Sequence, residues 1–263
     1  MIGIFDSGVG GLTVARQIIK KLPEYQIIYF GDTARTPYGN KSKETIIKYA
    51  IQDTKFLLKN GAKIIVIACH TASAVAATEL RKKFPDVPIF DVVKAGLIKA
   101  ERVTKNNKVG IIGTRATIFS QVHENYLKKL NKDIKVYTEA CPLIVPLVEE
   151  DWINRPETKK IVKYYLKPFR KQKIDTLVLA CTHYPLAKEA IKKAIKRKIN
   201  IIDPGEEVAK ELELFLKNHP VIEKRLLKSK KHKFFVSDIP FKFQEFSEKI
   251  LDQKIKVKQI SLD

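Results

Sequence analysis

Residues 63–74 read KIIVIACHTASA and residues 175–187 read DTLVLACTHYPLA, and the two stretches are built alike. Each opens with a short apolar run, which is typical of a buried strand, and continues through Ala-Cys into a turn that holds a Thr and a His. A helical pattern follows each turn. Strands that alternate with helices indicate a parallel α/β architecture. The two stretches therefore predict two similar α/β units, each with a cysteine at the carboxyl end of a strand.

A second pair of stretches shows the same likeness. Residues 2–8, IGIFDSG, and residues 109–117, VGIIGTRAT, both run from a strand through a turn of Gly and hydroxyl residues towards a helix. Ligands bind at the carboxyl ends of the strands in open α/β sheets. Because all four turns follow such ends, we expect both units to contribute to one active site between them.

The rest of the chain keeps alternating between apolar runs and amphipathic stretches, which predicts two open parallel-sheet units of the flavodoxin-like type. The predicted strands are Ile2–Phe5, Gln26–Phe30, Lys63–Ala68, Ile89–Val92, Lys108–Ile112, Lys135–Thr138, Thr176–Ala180, Asn200–Asp203, Phe234–Val236 and Lys256–Ile260. The predicted helices are Leu12–Lys21, Lys43–Leu58, Ala72–Lys83, Phe119–Lys129, Lys159–Arg170, Leu186–Lys196, Glu206–Lys217 and Phe241–Leu251.

The composition argues against several classes of protein. The chain has 263 residues, of which 44% are hydrophobic, and this is an ordinary globular composition rather than a disordered one. Three cysteines cannot form a disulfide framework, which favours a reducing cytoplasm. No apolar run approaches the ~18–20 residues that a membrane helix needs. Asp6 stands where an export signal would have its apolar stretch. We therefore expect a cytoplasmic protein without a membrane partner.

The net charge of +21 is the unusual feature of the composition. A basic protein suggests a nucleic-acid partner, and the densest cluster is KRLLKSKKHK at residues 224–233. However, the positive charge is spread along the chain and comes mostly from Lys, whereas proteins that read bases and phosphates rely on Arg. Solvated helix faces explain the charge better. A nucleic-acid-binding protein is kept as an alternative.

Cys69 and Cys181 are the strongest candidates for chemistry. Each lies between a strand and a helix, where free N–H groups and the helix dipole stabilise a thiolate and lower its pKa from about 8.5. His183, two residues beyond Cys181, could take or return the thiol proton. A lone cysteine at a strand end is more often an inert core residue, but two in matching turns favour a shared function. The spacing suggests no further ligands for a zinc site.

Two turns of the first unit leave their roles open. Residues 6–11, DSGVGG, resemble a phosphate-binding turn, but the carboxylate of Asp6 would repel phosphate and suits an ammonium group better. The simpler interpretation is a tight capped turn. In the next turn, Pro37 and Gly39 bend the backbone around Tyr38. This loop either presents N–H groups and a phenol to a ligand or lies on the surface.

The roles of two features of the second unit are also left open. The hydroxyls of Thr114 and Thr117 open a helix, where they could bind a carboxylate or serve only as N-caps. The acidic run that starts at Glu149 is either a first-turn helix set, which the spacing favours, or part of a site. The remaining cysteine and histidines are interpreted as structural, helix-surface or loop residues: Cys141, His123, His219 and His232.

Together these segments resemble those of glutamate racemases. The matching segments follow one another in the family's order from residue 2 to about residue 190, and several independent motifs must coincide for this to happen. They read IGIFDSGVGGLTV, YFGDTARTPYGNKS, IACHTASA, VGIIGTRATI, VPLVEE and LACTHYPL. One departure matters, because the family usually has Asn where this chain has His70. Histidine is larger and titrates near neutrality, so it could change the affinity, the pH profile or the preferred amino acid.

The resemblance implies an enzyme that needs no cofactor or metal and interconverts L- and D-glutamate for peptidoglycan synthesis. It implies that Cys69 and Cys181 are the acid/base residues, partnered by Asp6 and His183. It also implies a homodimer in which no nucleic acid takes part, and two domains: residues 1–92 with 207–263, and residues 93–206. The positions that match substrate-lining residues of the family are Asp6, Ser7, Pro37, Tyr38, Gly39, His70, Thr71, Thr114, Thr117, Glu149, Thr182 and His183.

Two other enzyme classes remain as alternatives at this point. A racemase of another acidic amino acid, such as aspartate, would share the two-cysteine principle. A pyridoxal-phosphate racemase would need a Schiff-base lysine and a phosphate cradle, and no loop in this chain matches that cradle.

Overall fold

The computed structural model describes residues 1–241 and 243–262 and divides the chain into two compact units. The first unit comprises Met1–Val92 and Gly205–Asp263, and the second comprises Val93–Pro204. Both units are α/β and are built on parallel sheets, which confirms the fold class expected from the sequence. None of the helices in the described ranges is both long enough and apolar enough to cross a membrane.

The strands are numbered in chain order. They are β1 (Ile2–Asp6), β2 (Ile27–Gly31), β3 (Ile64–Ile67), β4 (Ile89–Asp91), β5 (Lys108–Gly113), β6 (Lys135–Ala140), β7 (Thr176–Ala180), β8 (Asn200–Ile202), β9 (Lys233–Val236) and β10 (Val257–Gln259).

The α-helices are numbered in the same way. They are α1 (Leu12–Lys21), α2 (Lys43–Lys59), α3 (His70–Lys83), α4 (Val92–Val103), α5 (Arg115–Phe119), α6 (Val122–Leu130), α7 (Ile144–Glu149), α8 (Pro156–Gln172), α9 (Lys188–Ile195), α10 (Pro204–Asn218), α11 (Pro220–Glu223) and α12 (Phe243–Leu251). Short 3₁₀ turns lie at Thr33–Arg35, Tyr38–Asn40 and Tyr184–Ala187.

The first unit is a six-stranded parallel sheet in the order β10-β9-β2-β1-β3-β4. Its central strands are mostly apolar, and every residue of β1, β2 and β3 is buried, including Asp6 at the end of β1. Such continuous apolar runs are expected of strands that are covered by helices on both faces. This core fixes the carboxyl ends of β1 and β3 side by side, because Phe5 pairs with Ile67.

The second unit is a four-stranded parallel sheet in the order β6-β5-β7-β8. Counted within each unit, strands one to four lie in the same order, 2-1-3-4, in both sheets. In a sheet of this order the second strand lies on one side of the first strand, and the third and fourth lie on its other side. Ligands bind at the carboxyl ends of the strands where the strand order changes side, between the first and third strands. In the first unit these ends belong to β1 and β3, and in the second unit to β5 and β7.

The strand registers place the two cysteines at equivalent positions. Continuing the pairing of Phe5 with Ile67 by two residues brings Ser7 level with Cys69. Gly113 pairs with Ala180, so the next residues, Thr114 and Cys181, are also level. Each thiol therefore follows the third strand of its unit, and a hydroxyl residue follows the neighbouring first strand. The sequence likeness between the units corresponds to a likeness in topology.

All ten strands predicted from the sequence are present, but several helices differ from expectation. Helix α4 was not foreseen, because Gly96 interrupts its helical pattern. A Cβ at Gly96 would lie 2.8 Å from Cγ of Pro204, so close packing within the second unit explains this glycine. The helix predicted at Phe119–Lys129 is two helices, α5 and α6, separated by a left-handed residue at Gln121.

Candidate active site

Cys69 is held at the junction between β3 and α3. It is the N-cap residue of α3, with extended backbone angles (φ −66°, ψ 121°), and it is only 6% exposed. Its Sγ lies 3.6 Å from Oγ of Ser7. The thiol thus meets the hydroxyl that the strand register brings level with it.

The charge state of Cys69 differs from the expectation based on its helix position. Burial, together with the nearby carboxylate of Asp6, raises the pKa of the Cys69 thiol to about 12. Hydrogen bonds from the backbone of Ala72 and from Ser7 act in the opposite direction but do not compensate. The prediction of a lowered pKa was wrong here, because loss of hydration and a nearby negative charge outweigh the helix N-terminus. Cys69 is a thiol at neutral pH.

The turn after β1 positions the carboxylate of Asp6. Its Oδ2 accepts a hydrogen bond of 3.0 Å from the backbone N–H of Gly8, and Tyr29 Oη donates to the Gly8 carbonyl at 2.5 Å. The backbone of Gly11 packs directly on this arrangement, since a Cβ there would lie 2.3 Å from Cβ of Asp6. Gly11 therefore serves close packing around a buried acid.

Cys181 contacts an imidazole, which in turn contacts a carboxylate. It comes directly after β7 and is 7% exposed. Nδ1 of His183 lies 3.9 Å from Sγ of Cys181, and its Nε2 lies 2.8 Å from Oε1 of Glu149. Burial alone would lower the pKa of His183, but its hydrogen bonds to Cys181 and Glu149 raise it to about 10. The imidazole is therefore a cation at neutral pH and can supply a proton beside the thiol.

Glu149 reaches this group from the end of a helix. The sequence favoured a first-turn position for the acidic run, and this was wrong, because α7 ends at Glu149. The side chain is 47% exposed, while that of His183 is 10% exposed. Of the two roles considered for this residue, contact with His183 supports a role in the site. The predicted helix after Cys181 also begins differently, with the 3₁₀ turn Tyr184–Ala187 before α9.

Further polar residues lie directly after β3, β5 and β7, or in the first turn of the helix that follows. Thr114 is the N-cap of α5, and its Oγ1 accepts a hydrogen bond of 3.3 Å from the N–H of Thr117. The N-cap role suggested by the sequence is confirmed. The other hydroxyl and imidazole residues flanking the cysteines are buried: His70, Thr71, Thr117 and Thr182.

The loop between β2 and α2 differs from expectation in one respect. Tyr38 is 1% exposed, and its hydroxyl lies 2.5 Å from Oδ2 of Asp32 and 2.8 Å from Oδ2 of Asp53. The phenol is therefore engaged by two buried carboxyl groups, which argues against the interpretation that it is presented to a ligand. Pro37 and Gly39 are more exposed than Tyr38, so the backbone of this segment remains available for binding.

The sequence did not reveal the buried charges that hold this loop. Asp32, Arg35 and Asp53 form ion pairs of 2.6 and 3.0 Å, and both carboxyl side chains are fully buried. A signal was present, because Asp53 lies on the apolar face of α2 with Ala50 and Leu57. A carboxylate on an apolar helix face usually has a buried partner.

The remaining candidates lie outside this arrangement. Cys141 is fully buried, as a structural role predicts. His123 was expected at the surface, but it is 3% exposed because it faces the core from α6, and burial lowers its pKa to about 4. Within residues 1–241 and 243–262 there is no group of three His, Cys, Asp or Glu side chains that could hold a metal ion.

Comparison with known proteins gives one consistent family. Residues 11–212 match the Asp/Glu/Hydantoin racemase family. A glutamate racemase of Geobacter metallireducens is 41% identical over 263 residues, covering 100% of this chain and 97% of that protein. A glutamate racemase of Chlorobium phaeobacteroides is 46% identical over 246 residues, covering 92% and 89%.

The solved structures agree with the sequence relatives. The crystal structure of glutamate racemase from Francisella tularensis in complex with D-glutamate has a TM-score of 0.91 to this chain at 39% identity. The match covers 100% of this chain and 97% of that one. A family model spans most of the chain, and relatives about 40% identical cover nearly its full length. This chain is therefore an amino-acid racemase that belongs to the Asp/Glu/Hydantoin racemase family and is similar to its glutamate racemases.

Proposed function

We propose that this enzyme interconverts L- and D-glutamate by a two-base mechanism in which Cys69 and Cys181 are the acid/base residues. One observation carries the proposal: each unit has a thiol at the carboxyl end of its third strand, level with a hydroxyl residue that follows its first strand. The relatives named as glutamate racemases support glutamate as the substrate.

The reaction itself explains why two similar groups are needed. Racemisation removes the proton from Cα and adds one to the opposite face, so one base that returns its proton to the same face regenerates the starting enantiomer. The two enantiomers have equal free energies, and the enzyme must work in both directions. Two matched thiols on opposite faces of Cα meet this requirement, one as thiolate and the other as thiol.

The two thiols have different partners, which divides their roles. Cys69 holds its proton strongly, because burial and Asp6 raise its pKa to about 12. It is suited to donate to the carbanion. Cys181 lies beside the cationic His183, which can stabilise a thiolate or return a proton to it. In one direction of the reaction Cys181 acts as the base and Cys69 as the acid, and in the opposite direction these roles are exchanged. Positioned acid/base groups of this kind contribute about 10²–10⁴-fold.

The polar residues near the thiols bind the ammonium and carboxylate groups of the substrate. Asp6 suits the ammonium group, because its buried carboxylate is fixed by the turn after β1. N–H groups and hydroxyls suit the carboxylates and stabilise charge that develops on Cα. The proposed set for this purpose comprises Ser7, the backbone at Pro37, Tyr38 and Gly39, and the side chains of His70, Thr71, Thr114, Thr117 and Thr182. Glu149 orients His183.

Single substitutions of the two cysteines test the mechanism. Cys69→Ala and Cys181→Ala should each abolish racemisation, as followed by circular dichroism with L- and D-glutamate and no added cofactor. In D₂O, each variant should retain Cα–H exchange with one enantiomer only, because one base survives. Cys141→Ala is the matched control and should racemise normally. Full activity in either single variant would overturn the two-base proposal.

The same assay tests the substrate. L- and D-aspartate should turn over much more slowly than glutamate, and the reverse result would assign the enzyme to aspartate. An absorption spectrum of the pure protein without a visible band is expected, and a band near that of a Schiff base would indicate pyridoxal phosphate.

We further propose that the enzyme supplies D-glutamate for peptidoglycan in the cytoplasm and acts as a homodimer. The named function of its relatives supports the first part. The chain should restore growth of a bacterium that requires external D-glutamate, and the Cys181→Ala variant should not. Sedimentation of the pure protein at several concentrations tests the dimer, and a monomer at all of them would contradict it.

A further inference from the structure

A cluster of two carboxyl groups, one phenol and one guanidinium lies in the interior of the first unit. Asp32 directly follows β2, and Asp53 lies on α2. Neither side chain is exposed to solvent. Tyr38 Oη lies 2.5 Å from Asp32 Oδ2 and 2.8 Å from Asp53 Oδ2. Arg35 contacts both acids, with Nε 2.6 Å from Asp32 and Nη2 3.0 Å from Asp53. The ring of Tyr49 covers the guanidinium at 4.1 Å.

Counting protons shows that both acids cannot be ionised. A phenol has one proton and can donate it to one carboxylate only, and an ionised carboxylate has no proton to give. If Asp32 and Asp53 were both charged, one of the two short contacts at Tyr38 Oη would bring two oxygens together with no proton between them. A second proton on one of the acids makes both contacts hydrogen bonds.

The donors around each acid identify the one that carries this proton. Asp32 accepts from Arg35 Nε, from Tyr38 and, at its other oxygen, from Ser237 Oγ at 2.9 Å. Three donors stabilise an anion well. Asp53 meets Arg35 at Oδ1, and its Oδ2 faces the phenol oxygen. We propose that Asp53 is a neutral acid that donates from Oδ2 to Tyr38, and that it is a positioning residue for the loop of residues 36–40.

The electrostatics of the cluster agree with this assignment. Burial raises the pKa of Asp53 well above its usual range, and the charges of Asp32 and Asp6 raise it further. The hydrogen bond to Tyr38 and the charge of Arg35 act in the opposite direction and are outweighed. With Asp53 neutral, one guanidinium balances one carboxylate, and the buried cluster has no net charge.

The consequence for the enzyme rests on the proposed function, in which the backbone at Pro37, Tyr38 and Gly39 contacts the substrate. A neutral Asp53 ties α2 to Tyr38, while Tyr38 donates to Asp32. Loss of the extra proton at alkaline pH would break the bond from Asp53 and put a second negative charge beside the first. The loop would then hold the substrate less firmly, which would raise KM more than it lowers kcat.

Two isosteric substitutions distinguish a neutral acid from a charged one. Asp53→Asn imitates the neutral acid, because its amide donates to Tyr38 and its oxygen accepts from Arg35. Asp32→Asn instead removes the anion that balances Arg35. We expect Asp32→Asn to lower the thermal midpoint clearly and to raise KM about tenfold, the size expected for a lost charge-assisted hydrogen bond. Asp53→Asn should change both quantities much less.

Infrared spectroscopy detects the proton directly. The full-length enzyme should show the carbonyl stretch of a buried protonated carboxyl group, and Asp53→Asn should lack it. Asp91→Asn is the matched control, because Asp91 is a buried acid of the same unit that pairs with Arg81 at 2.6 Å. Its spectrum should keep the band.

The infrared and thermal results test whether Asp53 is protonated, and neither measurement depends on catalytic activity. A band that survives in Asp53→Asn, or its absence from the unaltered enzyme, would overturn the assignment. So would an Asp53→Asn variant that loses as much thermal stability as Asp32→Asn. If Asp32→Asn does not fold, the infrared comparison of Asp53→Asn with Asp91→Asn still shows whether Asp53 carries the proton. Failure of the racemase proposal would leave these readouts intact and would remove only the expected change in KM.

Discussion

Replacing Glu149 by Gln tests how the second thiol is controlled. Oε1 of Glu149 lies 2.8 Å from Nε2 of His183, whose Nδ1 lies 3.9 Å from Sγ of Cys181. Although burial lowers the pKa of His183, the hydrogen bonds to these two groups raise it to about 10. Glutamine keeps the size of the side chain and an acceptor oxygen but removes the charge. The variant therefore isolates the electrostatic contribution of Glu149.

The expected magnitude follows from the exposure of the pair. A hydrogen bond to a charged group contributes about 1.5–3 kcal/mol. Glu149 is 47% exposed, so solvent screening places the effect just below that range. We take about 1.4 kcal/mol, which corresponds to about one pKa unit. Glu149→Gln should thus lower the pKa of His183 from about 10 by about one unit.

The sign of the stability change follows from linkage. The pKa of His183 is higher in the folded enzyme than its ordinary value of 6.5, so its contribution to stability is complete below about pH 6.5 and is lost as the pH rises through about 10. The variant has a smaller shift. It should be less stable than the unaltered enzyme by about 1.4 kcal/mol at neutral pH, and the difference should vanish above about pH 10.

Urea unfolding at neutral and alkaline pH measures this difference, and circular dichroism gives kcat/KM against pH in both directions. In the plot of kcat/KM against pH, the alkaline limb that reports the titration of His183 should move to lower pH by about one pH unit. Glu150→Gln, at the neighbouring exposed position, is the matched control and should change neither quantity. An equal loss of stability at all pH values, or an unmoved limb, would refute the assigned role of Glu149.

Three further outcomes follow from the same geometry. His70→Asn should keep or raise turnover of glutamate, and loss of activity would show that His70 has a role of its own. Cys69→Ser should reduce the fall in unfolding free energy between about pH 9 and 12, because the raised pKa of this thiol makes folding less favourable as the pH rises through that range. Gly11→Ala should destabilise the enzyme by about 1–3 kcal/mol, because its Cβ would lie 2.3 Å from Cβ of Asp6. Gly8→Ala, whose Cβ would meet Thr36 Oγ1 at 3.5 Å, should cost much less in thermal denaturation.

The strands were predictable because burial on both faces leaves a plain mark on the sequence. Ile64–Ile67 and Thr176–Ala180 are continuous apolar runs, and each ends where the polar turn begins. Helix α4 was harder to recognise, because Gly96 serves packing against Pro204 and breaks the expected pattern. A residue chosen for a contact far along the chain obscures the local signal.

The candidate site was predictable in its residue types but not in its charges. The motifs pointed to Cys69, Cys181 and His183 before any geometry was known. The raised pKa of Cys69 depends on burial and on the distant Asp6, neither of which the neighbouring sequence reports. Likewise, the phenol of Tyr38 faces inward because an acid 15 residues later lies on the buried face of α2.

The position of β9 and β10 at the edge of the first sheet has a consequence for the order of events during synthesis. β2 pairs with β9, and Ser237 and Asp238 bond to the loop at Asp32 and Thr33. The ribosome makes residues 93–204 before it makes this edge. The second unit can therefore fold while the first still exposes an open strand, which is the feature that chaperones protect and that promotes aggregation. The first sheet is complete only after β9 and β10 have been made.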